Sequence, residues 1–289
     1  MVTRKLSLIL GYECNNNCRF CYCADKRFDK NLKPKTTKEA KRELEEGFER
    51  GCNFVDFLGG EPTIRKEFFK FLKYAKEKDP YMNVFIVSNG RMFCYDEFVS
   101  KMVGIGLKNL KIGIALYGHK REIHDAITRT PGSFKQTLKG IRNLIKAGIP
   151  IELRVIISTI NYKHLEDMAK YIIKNLKGVF RVVFINMKYT GNAYINRKAI
   201  FVRYKDVVPY AEKAADILMK NDIEVKLFHF PLCTIKKKYW DLAKGVTKQK
   251  SELMFVDECE KCAKRDECPM IWKTYWVLAG GREFRAIRG

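Results

Sequence analysis

Cys14-Asn15-Asn16-Asn17-Cys18-Arg19-Phe20-Cys21 follows directly on a short apolar run, Leu6 to Leu10, that reads as a strand. Three cysteines spaced C-x₃-C-x₂-C let one short loop turn three thiolates toward one point, and thiolates are the soft ligands that iron–sulfur clusters require. Three ligands for four irons leave one iron open, much as a catalytic zinc site keeps a position for substrate. On spacing alone two other readings stand: a zinc site with Cys23 as fourth ligand, or disulfide partners.

The chain around this loop has 289 residues, 46% of them hydrophobic, enough for one α/β barrel-like domain plus an appendage. No apolar run reaches the ~18 residues of a membrane span, and the start, Met1 to Lys5, goes straight into a strand, so a soluble, cytoplasmic protein is expected. Ten cysteines then argue for metal or redox chemistry over structural disulfides. The formal charge of +23, from 56 Lys and Arg against 33 acids, suits an acidic partner such as RNA, a phosphorylated cofactor or an acidic peptide. A lysine-rich surface of a heat-adapted protein is the plainer reading.

Outward from the cysteine loop, strand and helix alternate about six times. Strands are expected over 4–10, 53–58, 83–87, 109–115, 151–157 and 179–185. Helices are expected over 36–51, 65–78, 96–103, 133–148, 165–176 and 206–221. Capping boxes mark two helix starts, Thr36 with Glu39 and Ser133 with Gln136. Leu165, Met168, Ala169, Ile172 and Leu176 repeat at helical spacing. Nearly continuous apolar strands fit a parallel sheet covered on both faces, and six βα units argue for an open, partial β/α barrel. The domain expected over 1–226 gives way at Leu227 to a compositionally different, cysteine-rich extension, 227–289.

In such a barrel the loops leaving the strand C-termini form the active face. Gly59-Gly60-Glu61-Pro62 and Ser88-Asn89-Gly90 leave the second and third strands beside the cysteines. A tight turn explains the two glycines but not the acid and polar groups that accompany them. The Cys14/Cys18/Cys21 triplet with Phe20, together with Gly59–Pro62, resembles the radical S-adenosylmethionine (radical SAM) enzymes over roughly residues 4–225. Val87–Gly90, Ile114–Gly118 with His124-Asp125, Pro131–Phe134 and Ile156–Asn161 are further matches. They look like the branch that includes the molybdenum-cofactor enzyme and the peptide-maturing, SPASM/twitch members. Ala115 departs from the serine many relatives carry, leaving the ribose contact expected there in doubt.

The resemblance implies a partial (β/α)₆ barrel. It also implies a [4Fe–4S] cluster on Cys14, Cys18 and Cys21 whose open iron chelates the SAM amino and carboxylate groups. Phe20, Gly59, Gly60, Glu61, Pro62, Ser88, Asn89 and Arg154 would bind SAM. Glu61 and the glycine backbone would hold the methionine ammonium, Ser88 and Asn89 would face the ribose or carboxylate, and Arg154 is a further carboxylate candidate. Cluster reduction would cleave SAM to a 5′-deoxyadenosyl radical that takes a hydrogen atom from substrate.

In the tail, Cys233, Cys259, Cys262 and Cys268 suit either a Cys₄ zinc site or a cluster. The pattern resembles the auxiliary-cluster tails of the same branch, with Trp272 where a longer tail has another cysteine, and implies one fully ligated auxiliary [4Fe–4S] cluster. Cys23, Cys52 and Cys94 are expected to be ordinary thiols. His119 and His124 are expected to serve local hydrogen bonding or substrate. Tyr12, Tyr22 and Tyr117 could touch SAM or substrate. Lys236 to Lys238 with Tyr239 and Trp240 form either a solvated face or an RNA-stacking patch, and Trp272, Tyr275 and Trp276 are expected to pack around the tail cluster.

The function expected is hydrogen-atom abstraction from a peptide or protein side chain, with a ferredoxin or flavodoxin as electron donor. Because the chain begins at strand one, no separate leader-binding domain is expected at its N-terminus. A tRNA-modifying or cofactor-biosynthesis enzyme is the alternative, and a non-catalytic iron–sulfur carrier or nucleic-acid-binding module the alternative of another class.

Overall fold

A computed structural model describes residues 4–29, 31–244 and 250–288. Residues 1–3, ahead of the first strand, and 245–249 and 289, within the expected extension, lie outside the described residues. Strands β1 (Lys5–Ile9), β2 (Phe54–Leu58), β3 (Asn83–Ser88), β4 (Asn109–Ala115), β5 (Ile151–Ile156), β6 (Val179–Ile185) and β7 (Glu224–Phe228) pair in sequence order, every pair parallel. Their connections carry helices α1 (Ala24–Phe28), α2 (Thr37–Glu49), α3 (Phe68–Lys78), α4 (Asp96–Val103), α5 (Arg121–Thr128), α6 (Ser133–Lys146) and α7 (Leu165–Asn175), then the short turns α8 (Asn192–Ile195) and α9 (Arg197–Ile200) and the long α10 (Tyr204–Met219). This is the partial β/α barrel expected from the sequence, with β1 and β7 at its edges.

The alternation of side chains along the strands separates two environments. Leu6 and Leu8, Val55 and Phe57, and Val84 and Ile86 are buried in the apolar core. The alternate positions carry charge. Lys5 pairs with Asp56, and Glu152 binds Arg154 at 2.6 Å and Arg181 at 3.1 Å. Arg181 also reaches Glu224 at 2.7 Å, so Glu152, Arg181 and Glu224, register partners on three strands, form one ionic chain across the sheet.

Three features differ from the sequence reading. The sheet has a seventh strand, β7, whose pairing runs across the 226/227 boundary and carries the sheet to Phe228. The stretch before Ser133 is not all loop but holds α5. Thr36 and Glu39 do form a capping box at α2, with Glu39 N–H donating to Thr36 Oγ1 at 3.2 Å. Ser133 does not cap α6: the cap position is Gly132, and Gln136 accepts from Arg91 instead. The cap is supplied from outside the helix by Asp125, which accepts the Gly132 and Phe134 N–H groups at 2.8 Å each and the Ser133 hydroxyl at 2.7 Å.

Beyond β7 the extension adds α11 (Trp240–Ala243), the antiparallel pair β8 (Leu253–Met254) and β9 (Ile271–Trp272), and α12 (Lys273–Ala279). It is sewn to the barrel's C-terminal rim. Trp272 donates to the Asn186 carbonyl at 3.2 Å and lies 4.0 Å from the His229 ring. Tyr275 accepts the Tyr204 N–H at 3.1 Å. Both aromatics are buried, Trp276 is 42% exposed, and none of the three lines the cavity that holds the tail cysteines. Trp272 and Tyr275 fasten tail to barrel, whereas the sequence expectation is packing around the tail cluster.

Within α5, His124 is buried with its Nδ1 accepting the Tyr117 N–H at 3.2 Å. Burial pushes its pKa down to about 4, against about 6.5 for a free imidazole. As pH falls, the unfolded chain therefore takes up this proton first. The His124 contribution is intact above pH ~6.5 and erodes as pH falls toward ~4, by about 3 kcal/mol in the limit. Urea unfolding of the iron-free chain should show this slope in wild type, and the slope should be shallower in His124→Gln.

Candidate functional site

The cysteine loop leaves β1 and is held from three directions. From β3, Asn89 Nδ2 donates to Asn15 Oδ1 at 2.6 Å and approaches Cys14 Sγ at 3.8 Å. Arg91 reaches the Asn15 carbonyl and Asn16 Oδ1. From the end of α5, the Thr128 and Ile127 carbonyls accept the Asn17 and Arg19 N–H groups at 3.0 and 2.9 Å, and Arg129 donates to the Asn17 carbonyl at 2.7 Å. From the segment after β6, Asn192 Nδ2 donates to the Cys18 carbonyl at 3.0 Å and Asn196 Nδ2 to the Arg19 carbonyl at 2.9 Å. A loop of three asparagines and three thiols has little apolar surface to bury, so hydrogen bonds fix its shape. The sequence reading missed Arg91, Arg129, Asn192 and Asn196, and its one signal was the polar loop itself, whose buried Asn16 and inward backbone carbonyls demand partners.

The Gly59–Pro62 segment lies against the same loop. Gly60 N–H donates to the Gly11 carbonyl at 2.9 Å and Glu61 N–H to the Glu13 carbonyl at 2.8 Å. A side chain on Gly60 would place its Cβ 2.2 Å from the Glu13 oxygen and 2.4 Å from that of Tyr12. Glycine is thus required here for close approach of two backbones. Glu61 is buried and accepts four bonds: Thr63 N–H at 3.1 Å, Thr63 Oγ1 at 2.5 Å, Ser88 Oγ at 2.8 Å and Asn89 N–H at 2.6 Å. Burial raises its pKa, and these donors oppose that rise without cancelling it.

The other expected site residues differ in their surroundings. Ser88 donates its hydroxyl proton to Glu61. Pro62 is buried, opening the turn that carries Thr63. Phe20 is buried edge-on against Tyr117, with ring centroids 4.8 Å apart. Arg154 is paired with Glu152 and lies 5.8 Å from the Phe228 ring, so its guanidinium is already engaged within the sheet. Burial, together with Cys14 and Cys21, pushes the Cys18 thiol well up, and burial also raises Cys14. Cys21 is lowered by its bond with Cys23, at a sulfur separation of 3.6 Å. The desolvated sulfurs of Cys14 and Cys18 need a cationic partner to become thiolates.

In the tail, Cys233, Cys259, Cys262 and Cys268 line one cavity with Lys264, Arg265 and Arg285 on its wall. The Ile287 N–H points at Cys262 Sγ from 3.4 Å, and the Arg285 N–H serves Cys233 as the Leu232 and Met270 N–H groups serve Cys268. Backbone donors and cationic walls around four sulfurs suit an anionic cluster. Among the described residues no three cysteine sulfurs lie within 4.8 Å of one another. Ligands of a single tetrahedral zinc would sit only about 3.8 Å apart, given a Zn–S bond of about 2.3 Å. Among the described residues, then, no three cysteine sulfurs are already gathered as the ligands of one zinc would be.

The basic-aromatic run takes its plainer reading. Lys236 and Lys238 pair with Glu212 and Asp216 of α10 at 3.0 and 2.9 Å, and Tyr239 is buried.

Comparison with known proteins places the family. The model of the Radical SAM superfamily matches residues 8–172, more than half of the chain, and the chain belongs to that superfamily. That superfamily works with S-adenosylmethionine and a [4Fe–4S] cluster. Over 181 residues it is 31% identical to the Fe-coproporphyrin III synthase of Methanosarcina barkeri, spanning 62% of this chain but 42% of that protein. Over 225 residues it is 26% identical to the Probable GTP 3',8-cyclase of Saccharolobus islandicus, spanning 77% of this chain and 68% of that one. The solved structure of native anSMEcpe with bound AdoMet and the Cp18Cys peptide matches 97% of this chain and 95% of its own, with TM-score 0.66 and 14% identity. Streptococcus suis SuiB bound to precursor peptide SuiA matches 78% and 48%, with TM-score 0.63 and 17% identity. These two share the fold. No helix of the described residues is long and apolar enough to cross a membrane.

Gly60→Ala tests the close approach. The added methyl should push the cysteine loop away at a cost of about 1–3 kcal/mol. Iron and sulfide incorporated on reconstitution should fall at the first site, while far-ultraviolet circular dichroism stays as in wild type.

Proposed function

We propose that Cys14, Cys18 and Cys21 hold a [4Fe–4S] cluster with one iron open to SAM, and that the enzyme abstracts a hydrogen atom from a peptide or protein side chain. The observation that carries the SAM site is Glu61. A buried carboxylate whose pKa stays raised despite four donors gains from a cationic neighbour, and the methionine ammonium is such a group. Gly59, Gly60 and Pro62 shape the turn that brings Glu61 under the cysteine loop. Ser88 and the Asn89 backbone hold the carboxylate in place, and the Asn89 side chain steadies the loop beside Cys14. Phe20 and Tyr117 close the apolar side. Arg154 serves an anionic group only by sharing its guanidinium with Glu152. When bound, the reduced cluster supplies the electron that splits SAM into methionine and a 5′-deoxyadenosyl radical, and the protein supplies orientation and exclusion of water.

Cys233, Cys259, Cys262 and Cys268 hold one auxiliary [4Fe–4S] cluster in an extension that begins after β7. Four protein ligands leave it no open iron, so it passes electrons or orders the tail. The peptide reading draws support from the likeness, over 97% of this chain and through the tail, to anSMEcpe with its bound peptide. A second reading, cofactor biosynthesis, draws support from the 31% identity to the Fe-coproporphyrin III synthase. A cytoplasmic location and a ferredoxin or flavodoxin donor go with either. The RNA reading loses its local basis with the pairing of Lys236 and Lys238 to α10.

Anaerobic reconstitution with dithionite and SAM should yield 5′-deoxyadenosine in wild type, none in Cys18→Ala, and a substantial residue in Cys262→Ala. If Cys18→Ala still forms the nucleoside, the assignment fails. Short peptides that stimulate its formation and change mass would support the first substrate reading. Stimulation by Fe-coproporphyrin alone would move the assignment to the second.

A further inference from the structure

Away from both cysteine sites, His119, His164 and Asp167 come together on the rim of the barrel. His119 lies in the connection from β4 to α5. His164 and Asp167 lie where the β5 connection enters α7. One ligand atom of each lies within 4.8 Å of the other two. The two imidazole rings are 5.7 Å apart, centroid to centroid, and His164 Nδ1 is 3.5 Å from Asp167 Oδ2, too far for a good hydrogen bond.

A second observation points to a missing partner. His119 Nδ1 is buried and has no hydrogen-bond partner, and a buried polar nitrogen left so is costly.

We propose that His119, His164 and Asp167 form a site for a first-row divalent transition ion of the zinc class, which ties the two loops together on the catalytic rim. Two imidazoles and a carboxylate are a nitrogen–oxygen set suited to zinc, nickel or cobalt and poorly suited to magnesium or calcium. Three protein ligands leave a position for water in the open cleft beside them. Lys120, Lys170 and Lys174 line that cleft. Lys170 is held by Glu166 at 2.8 Å, but the positive wall weakens the hold on a divalent ion. The tie reinforces one already present, since Asn161 Nδ2 donates to the Tyr117 carbonyl at 3.0 Å across the same two connections. Tyr117 in turn packs on Phe20 of the cysteine loop.

The test titrates zinc alone into the anaerobically reconstituted holoenzyme, with its cysteine sites filled, by isothermal calorimetry. Wild type should bind one equivalent more than the His119→Ala/His164→Ala double variant. His164→Ala alone, at a half-exposed position that does not threaten folding, should weaken that equivalent by roughly 10–100-fold or more, and Asp167→Asn should weaken it too. Equal stoichiometry and affinity in wild type and the double variant would overturn the site, whatever zinc binds elsewhere. Because the readout is zinc uptake, the outcome is independent of whether SAM is cleaved.

Discussion

A charged group in a protein interior must be surrounded by donors, and Glu61 is where this chain meets that requirement. Its carboxylate collects hydrogen bonds from Thr63, Ser88 and Asn89. Those donors sit on the connections leaving β2 and β3, so satisfying one charge fastens two neighbouring loops. The backbone of the same segment hydrogen bonds to Gly11 and Glu13, which carries the constraint into the cysteine loop. That knot ties the floor of the site to the loop that carries the three thiols.

The remaining contacts extend the same logic around the rim. Three connections at the C-terminal end of the sheet send polar groups to the cysteine loop: Arg91 after β3, Arg129 after α5, Asn192 and Asn196 after β6. The extension then closes on the rim through Trp272 and Tyr275, which brings its own four cysteines to the same end of the molecule. A polar loop braced by the ends of a parallel sheet is rigid without a hydrophobic core of its own. Such rigidity is what a cofactor needs from a scaffold on which the chemistry is the cofactor's.

Much of this was legible in the sequence because it is local. Cys14–Cys21 and Gly59–Pro62 are each contiguous, and the apolar runs of the first six strands stand between clear turn residues. The α2 capping box is a four-residue pattern and forms as read. What escaped were arrangements made at a distance. Asp125 caps α6 from the preceding helix, so Ser133, the local candidate, is left as a donor to it. Eight residues of α5 were too short a pattern before Thr130-Pro131 to stand out. Glu224–Phe228 alternates charge and apolar residues as an edge strand does, but the change of composition nearby masked it. Arg91 and Arg129 carry no pattern at all, since their role exists only once sequence-distant carbonyls meet them.

The most direct measurement is the low-temperature electron paramagnetic resonance spectrum of the dithionite-reduced, full-length chain with and without SAM. SAM should change one of two cluster signals, and the component it changes should be the one missing from Cys18→Ala. A spectrum that SAM leaves unaltered, or a SAM-sensitive signal that survives in Cys18→Ala, would contradict an open iron above Glu61.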